Sequence, residues 1–373
     1  MTSSWSPLGT IAARGGGTEY PPTRTVEVIE LLTRLGLLSP SEIVAEGLVV
    51  RDVSRRNRVY LVEGAIRVAV KMPGSEGPAH SVAREWRALA WLAVHRPGLG
   101  PPVLAWDPQY KLLVTRLLDG ASLAQYVRRP GQLPTGFASQ LGTALGTLHA
   151  GGMCPPFASA PAGALRLHRL VPAMLGHRTR GQLELIRMLQ RAPAACASLD
   201  AAARAWLQSA AIHGDVRWEH VVVSTGPGVE HLAVRFVDWE FSGSGDPCWD
   251  IGCAIAGAVR DGLVTAAVAA GSTFELLVGA DLALVEAAPA MSAMWSAWED
   301  RMGQAAIETR ERVMSLVGAR LLQFADEIAG ASTRLEPPAA LTARVGIDFL
   351  ERPREAAEML LAGDRTMEHP TSP

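Results

Sequence analysis

From Thr25 the apolar positions Val26, Val28, Ile29, Leu31, Leu32 and Leu35 recur at helical spacing up to Gly36, and this predicts a short amphipathic helix. Residues 1–24 ahead of it are rich in Gly, Ser, Thr and Pro, with few large apolar side chains to pack, and read as a flexible tail. Three β-rich runs follow, Ile43 to Val53, Arg58 to Glu63 and Ala65 to Met72, with a tight turn at Gly64. They predict a meander. Helical periodicity returns from Ser81 to Val94, where Val82, Glu85, Trp86, Leu89 and Leu92 share related faces, and Pro102 to Trp106 and Tyr110 to Thr115 read as two more strands. Residues 25–115 are thus expected to form a small lobe of five strands and a helix behind the leading helix.

After Arg116 the pattern turns helical and the expected second lobe runs over 116–363. Helices are predicted over Gly120 to Arg128 and Thr135 to Ala150, and two or three more within Ala164 to Ala211, joined at Gly181 and Pro193. Residues 220–238 read as a hairpin turning at Gly226 to Gly228. Alanine-rich helices continue from Gly252 to about Ala362, with breaks expected near Gly271, Pro289 and Pro337-Pro338, and 364–373 reads as a second flexible tail. The fold class is α+β.

Composition narrows the partners. The chain has 373 residues, 48% apolar and 19% charged, which is globular and long enough for two lobes. A net charge of -2 gives no sign of nucleic acid or an anionic membrane as a partner. Four scattered cysteines lack metal-ligand spacing and read as reduced thiols. The N-terminus has no signal-type apolar core, and the most apolar later stretch, Gly262 to Phe274, falls short of the roughly 20 residues a bilayer requires. A cytoplasmic protein without a membrane partner is expected.

The candidate chemistry lies between Ile212 and Gly252. IHGDVRWEHVVV, a turn, and LAVRFVDWEFSGSGDPCWDIG place Asp215, Asp238 and Asp250 at the ends of short apolar runs, where a buried carboxylate is costly without a partner. Lys71 closes a strand-like Val-Ala-Val-Lys, and Glu85 lies on the following helix. The order Lys71, Glu85, Asp215, Asp238, Glu240, Asp246, Asp250 on a β-then-α chain resembles the aminoglycoside phosphotransferase family, distant relatives of the protein kinases.

That resemblance implies a two-lobed, protein-kinase-like fold with a small β-sheet N-lobe and a large helical C-lobe, ATP lying between the lobes and the strand end at Thr115 to Leu118 acting as hinge. Lys71, held by Glu85, is expected on the α and β phosphates. Asp215 would accept or orient the acceptor hydroxyl proton, His213 would help set the backbone that presents it, and Arg217 reads either as facing the transferred phosphate or as a surface arginine. Asp238 would bridge Mg2+ to the phosphates, with Glu240 sharing the metal. His220 stands where the family has a metal-binding Asn, although magnesium prefers oxygen ligands. Asp250 reads as structural, accepting backbone N–H groups of the 213–215 loop. Where kinases carry a Gly-rich loop, this chain has Asp52 to Asn57. Ser54, Arg55, Arg56 and Asn57 there read either as phosphate ligands or as a solvated basic turn.

The implied activity is ATP-dependent phosphorylation of a hydroxyl, on a small molecule or on Ser/Thr of a ribosomal precursor peptide. The run Asp52 to Asn57 resembles loops of family members in lanthipeptide and thioamitide biosynthesis, which would add a partner lyase. The alternative is a pseudokinase that binds nucleotide or peptide without chemistry, the reading His220 favours. A polycationic aminoglycoside acceptor is disfavoured by the basic run Arg166, His168, Arg169, His177, Arg178 and Arg180.

Overall fold

The computed structural model describes residues 24–74, 80–127, 133–224, 233–303 and 309–361. The two predicted tails, apart from Arg24, and the turn at Gly226 to Gly228 lie outside these residues. The chain divides into two compact units, one reaching to Gly120 and including Arg235–Ser242, the other formed by Ala121–Val234 and the residues from Gly243 onward.

The first unit opens with helix α1 (Thr25–Arg34), which buries Val28, Leu31 and Leu32. A second helix, α2 (Pro40–Glu46), occupies the start of the run read as strand from Ile43. The reason is local: Ser39 caps the helix by accepting from Glu42 N, Pro40 takes the first turn, and the Glu42 carboxylate returns to Ser39 N at 2.7 Å. Strand β1 (Val49–Asp52) therefore begins later than expected. With β2 (Asn57–Glu63), β3 (Val68–Pro73), β4 (Val103–Asp107) and β5 (Leu112–Arg116) it makes an antiparallel sheet of order β1-β2-β3-β5-β4. Val68, Val70 and Met72 point into a core shared with Val28, Leu32, Tyr60 and Val114. The strand's twofold alternation turns Lys71 to the opposite face, where helix α3 (Ser81–His95) supplies Glu85.

The second unit begins with a two-residue strand, β6 (Ala121–Ser122), paired with β8 (Val221–Ser224). The helix predicted over Gly120 to Arg128 shrinks to α4 (Leu123–Tyr126): Ser122 serves as both strand residue and N-cap, and Val127 is already extended. Helix α5 (Thr135–His149) matches its prediction. The next segment holds a 3-10 turn (Gly163–Arg166), α6 (Pro172–Leu175), α7 (Arg180–Gln190), α8 (Pro193–Arg204) and the strand β7 (Ala210–Ile212). Gly181 lies inside α7 rather than at a joint. A Cβ there would come within 2.7 Å of the Arg334 carbonyl, so the glycine serves close packing.

After β9 (Ala233–Phe236) and β10 (Gly243–Gly245), which pairs with β7, come α9 (Pro247–Ala269), α10 (Thr273–Met302), α11 (Arg310–Ala329), α12 (Pro337–Glu351) and α13 (Pro353–Leu360). Pro289 does not break α10 as expected. Proline costs a helix interior about 3 kcal/mol, and burial of Ala287, Ala290, Met291 and Met294 around it outweighs that.

By length and composition α9 and α10 are apolar enough to cross a membrane, which corrects the expectation that no stretch is. In this fold α9 is a core helix, with 61% of its apolar window buried, and α10 packs on it and on α5. Gly142 of α5 permits that approach, since a Cβ there would sit 2.1 Å from the Met294 carbonyl.

Candidate active site

The candidate site residues gather into a charged constellation in each unit. In the first, the Lys71 ammonium lies 2.6 Å from Glu85, bonds Asp238 Oδ1 and stands 3.7 Å from Glu240. Burial alone would push the lysine pKa down, but Glu85, Asp238 and Glu240 together carry it well above its usual range. It is fully charged at neutral pH. Burial raises the Glu85 pKa, with Lys71 opposing. Three carboxylates around one ammonium leave an excess of negative charge.

Asp238 stands in the left-handed region at φ 66, one of two described non-glycine residues with positive φ, and such strain is kept where the surroundings impose it. The surroundings here are specific. The Trp239 indole donates to the Phe236 carbonyl at 2.8 Å, and Arg84 of α3 donates to the Ser242 carbonyl at 3.0 Å.

The residues at the start of β2 and in the turn before it part company. Asn57 is buried, its amide donating to Glu240 at 2.6 Å and accepting from Ser81 at 3.2 Å, so its side chain is committed to holding Glu240. Ser54 accepts from Val59 N and donates its own N–H to Asp52, which leaves a formed turn carrying the exposed Arg55 and Arg56. Thr115 is buried on β5, paired in register with Ala69 of β3.

In the second unit the loop after β7 presents Asp215. The fully buried Asp250 of α9 accepts His213 N at 2.6 Å and Gly214 N at 2.9 Å, the structural role read for it from sequence. Gly214 takes φ 86, which glycine adopts without strain. Behind Asp250, the Trp298 indole donates to His149 Nδ1 at 2.9 Å, which turns the ring's Nε2 to Asp250 Oδ2 at 3.2 Å. The Trp249 indole donates to the Gly214 carbonyl and completes the cradle. His213 Nδ1 accepts the Asp215 N–H at 3.3 Å.

The Asp215 carboxylate receives Arg217 Nε on both oxygens, at 3.1 and 3.0 Å, and Arg320 Nη2 on Oδ1 at 2.8 Å. Burial pushes its pKa up, yet Arg320, Arg217 and the two neighbouring histidines bring it down to about 2. Arg217 also forks onto Glu327 of α11 at 2.9 and 2.5 Å. Burial opposes the Arg217 charge, and the Glu327 hydrogen bond and Asp215 raise its pKa. His220 turns back on the same loop, its Nδ1 3.0 Å from the Asp215 carbonyl oxygen.

Arg320 and Glu327 were not found from the sequence. The available signal was Arg320 at helical spacing with Leu316, Val317 and Phe324, a charge on an otherwise buried stripe; its exposure is 1%.

Residues 50–287 match the family model for the phosphotransferase enzymes known as APH. The chain belongs to this family. No curated protein matches its sequence. Solved structures similar to it include choline kinase from Cryptosporidium parvum Iowa II (12% identity over 89% of this chain and 96% of that one, TM-score 0.49). A macrolide 2'-phosphotransferase from Brachybacterium faecium is 16% identical over 91% and 99%, with TM-score 0.45. An ADP-bound aminoglycoside phosphotransferase is 12% identical over 91% and 100%, with TM-score 0.46.

The family implies a magnesium ion. Among the described residues no group of three or more His, Cys, Asp or Glu side chains could hold a metal. Asp238 and Glu240 nevertheless suit magnesium in kind, since that ion takes one or two carboxylates and completes its shell with phosphate oxygens and water. The excess negative charge around Lys71 fits a cation there.

Proposed function

We propose that this protein transfers the γ-phosphate of ATP to a hydroxyl of a small molecule. The observation that carries the reading is the Lys71 ammonium of β3, kept charged among Glu85, Asp238 and Glu240. Lys71 would bind the nucleotide phosphates, with Arg55 and Arg56 adding charge beside them. Asp238 and Glu240 would hold magnesium, whose chemistry when bound is to neutralise charge on the phosphates. Asp215 would orient the acceptor hydroxyl and take its proton as the phosphoryl group transfers. With a pKa of about 2 it is a weak base, so orientation is the larger part of its role. Arg217 would leave Glu327 to meet the transferred phosphate. The four free cysteines fit a reducing cytoplasm.

The test is phosphate transfer from ATP to a panel of small hydroxyl compounds and Ser/Thr peptides, with magnesium present. Transfer to a small acceptor is expected, reduced at least about 100-fold by Asp215→Asn. Full activity in Asp215→Asn would overturn the assignment. Transfer to peptides alone would move the acceptor to a precursor peptide, and activity only after His220→Asn would make the protein a pseudokinase.

A further inference from the structure

The basic run 166–180 has no part in the constellations above, yet the fold gathers three of its arginines around one cavity. A cavity of about 560 Å³ in the second unit is walled by the 3-10 turn and the segment after it, the C-terminal end of α8, and Arg178. Four arginines line it, Arg166, Arg169, Arg178 and Arg204, against one acid, Asp200. In a chain of net charge -2 this is a local concentration of positive charge that overall composition does not produce.

The pairings show how much of that charge is answered. Asp200 is taken by Arg169 at 2.7 Å and by His168 at 3.0 Å on the same oxygen. Arg178 is held from outside the lining by Asp326 of α11. Arg166 and Arg204 have neither an ion pair nor a side-chain hydrogen bond among the described residues, and both are exposed. Two guanidinium groups thus stand unanswered at one concavity, beside two more that are fixed in place. Guanidinium forks match carboxylate and phosphate geometry and shed water more easily than ammonium does. Leu167 and Ala203 add an apolar wall for a carbon frame.

We propose that this cavity binds a small organic polyanion, a molecule carrying at least two carboxylate or phosphate groups. Arg166 and Arg204 engage the anionic groups, Arg169 and Arg178 set the field, and Asp200 limits it.

The experiment is calorimetric titration of the full chain with citrate and, separately, with inorganic pyrophosphate, using glycerol as the neutral control. At least one anion binds at one site per chain with a dissociation constant below roughly 1 mM, weakening as salt rises, and glycerol does not bind. The pair Arg166→Glu and Arg204→Glu weakens that binding about tenfold or more while leaving the circular dichroism spectrum unchanged, because both side chains are exposed. Asp200→Asn tightens it. Arg55→Ala with Arg56→Ala, in the first unit, leaves it unchanged, which separates the cavity from nucleotide binding. Citrate binding alone assigns a carboxylate ligand and pyrophosphate binding alone a phosphate ligand. Binding of neither anion overturns the proposal, as does binding that survives the double charge reversal or is lost with Arg55 and Arg56. None of these results depends on phosphate transfer, so failure here and failure of the kinase reading are distinguishable.

Discussion

Replacing Arg320 by methionine removes a buried cation while keeping most of the side-chain volume. Asp215 then loses the 2.8 Å donor on Oδ1 and retains Arg217. Breaking a buried ion pair from one side costs about 3–5 kcal/mol, and the surviving Arg217 contact places this case near ~3 kcal/mol. Linkage gives a second route to the size. The Asp215 pKa of about 2, against an ordinary 3.8, corresponds to ~2 kcal/mol of stability at neutral pH. Because the folded-state value is the depressed one, that stability is present above the ordinary carboxylate pKa and is lost as pH falls through about 2. The two routes agree in order of magnitude.

Urea denaturation of wild type, Arg320→Met, Asp215→Asn and the double variant at pH 7 completes the cycle. Arg320→Met is expected to lose ~3 kcal/mol, which is roughly 6–12 °C in melting temperature for a unit of this size, and the two changes should be coupled by about 1–3 kcal/mol. The gap between wild type and Arg320→Met should hold from pH 7 to pH 4 and narrow below it. A loss under about 0.5 kcal/mol, or strict additivity, would refute the claim that Arg320 and Asp215 form an energetically coupled pair.

Lys71→Met leaves Glu85, Asp238 and Glu240 without their cation, so it should destabilise the first unit by about 3 kcal/mol and abolish calorimetric binding of an ATP analogue. In that variant Glu85, whose pKa burial raises and Lys71 no longer lowers, binds a proton more readily folded than unfolded, so melting temperature should rise from pH 7 to pH 5, and a fall would contradict the arrangement. Asp250→Ala removes the acceptor for His213 N, Gly214 N and His149, and hydrogen exchange by mass spectrometry should show faster exchange at His213 and Gly214. Gly257→Ala places a methyl 2.5 Å from the buried Trp218 ring, next to Arg217, and should cost about 1–3 kcal/mol by chemical denaturation.

Much of this molecule is written locally. The apolar stripe of α1, the alternation of Val68, Val70 and Met72, and the α3 periodicity each place their element within three residues, because the period of burial and the period of the backbone coincide. The pairing of Lys71 with Glu85 and the cradle of Asp250 were legible too, since a strand-ending lysine and buried carboxylates recur in the order of a known family. The local misreadings have local causes. The Ser39 capping box outweighed β propensity at Ile43 and Val44, and the Ser122 cap with its strand pairing shortened the helix after it.

What only the tertiary structure decided is how distant charges pair. Arg320 and Glu327 reach Asp215 and Arg217 from a helix about a hundred residues later, and Asn57 turns inward to Glu240 across 183 positions. No periodicity carries such information. A charge on a buried stripe announces that it has a partner, but the partner's identity depends on which helices pack together, and that is settled by the core as a whole.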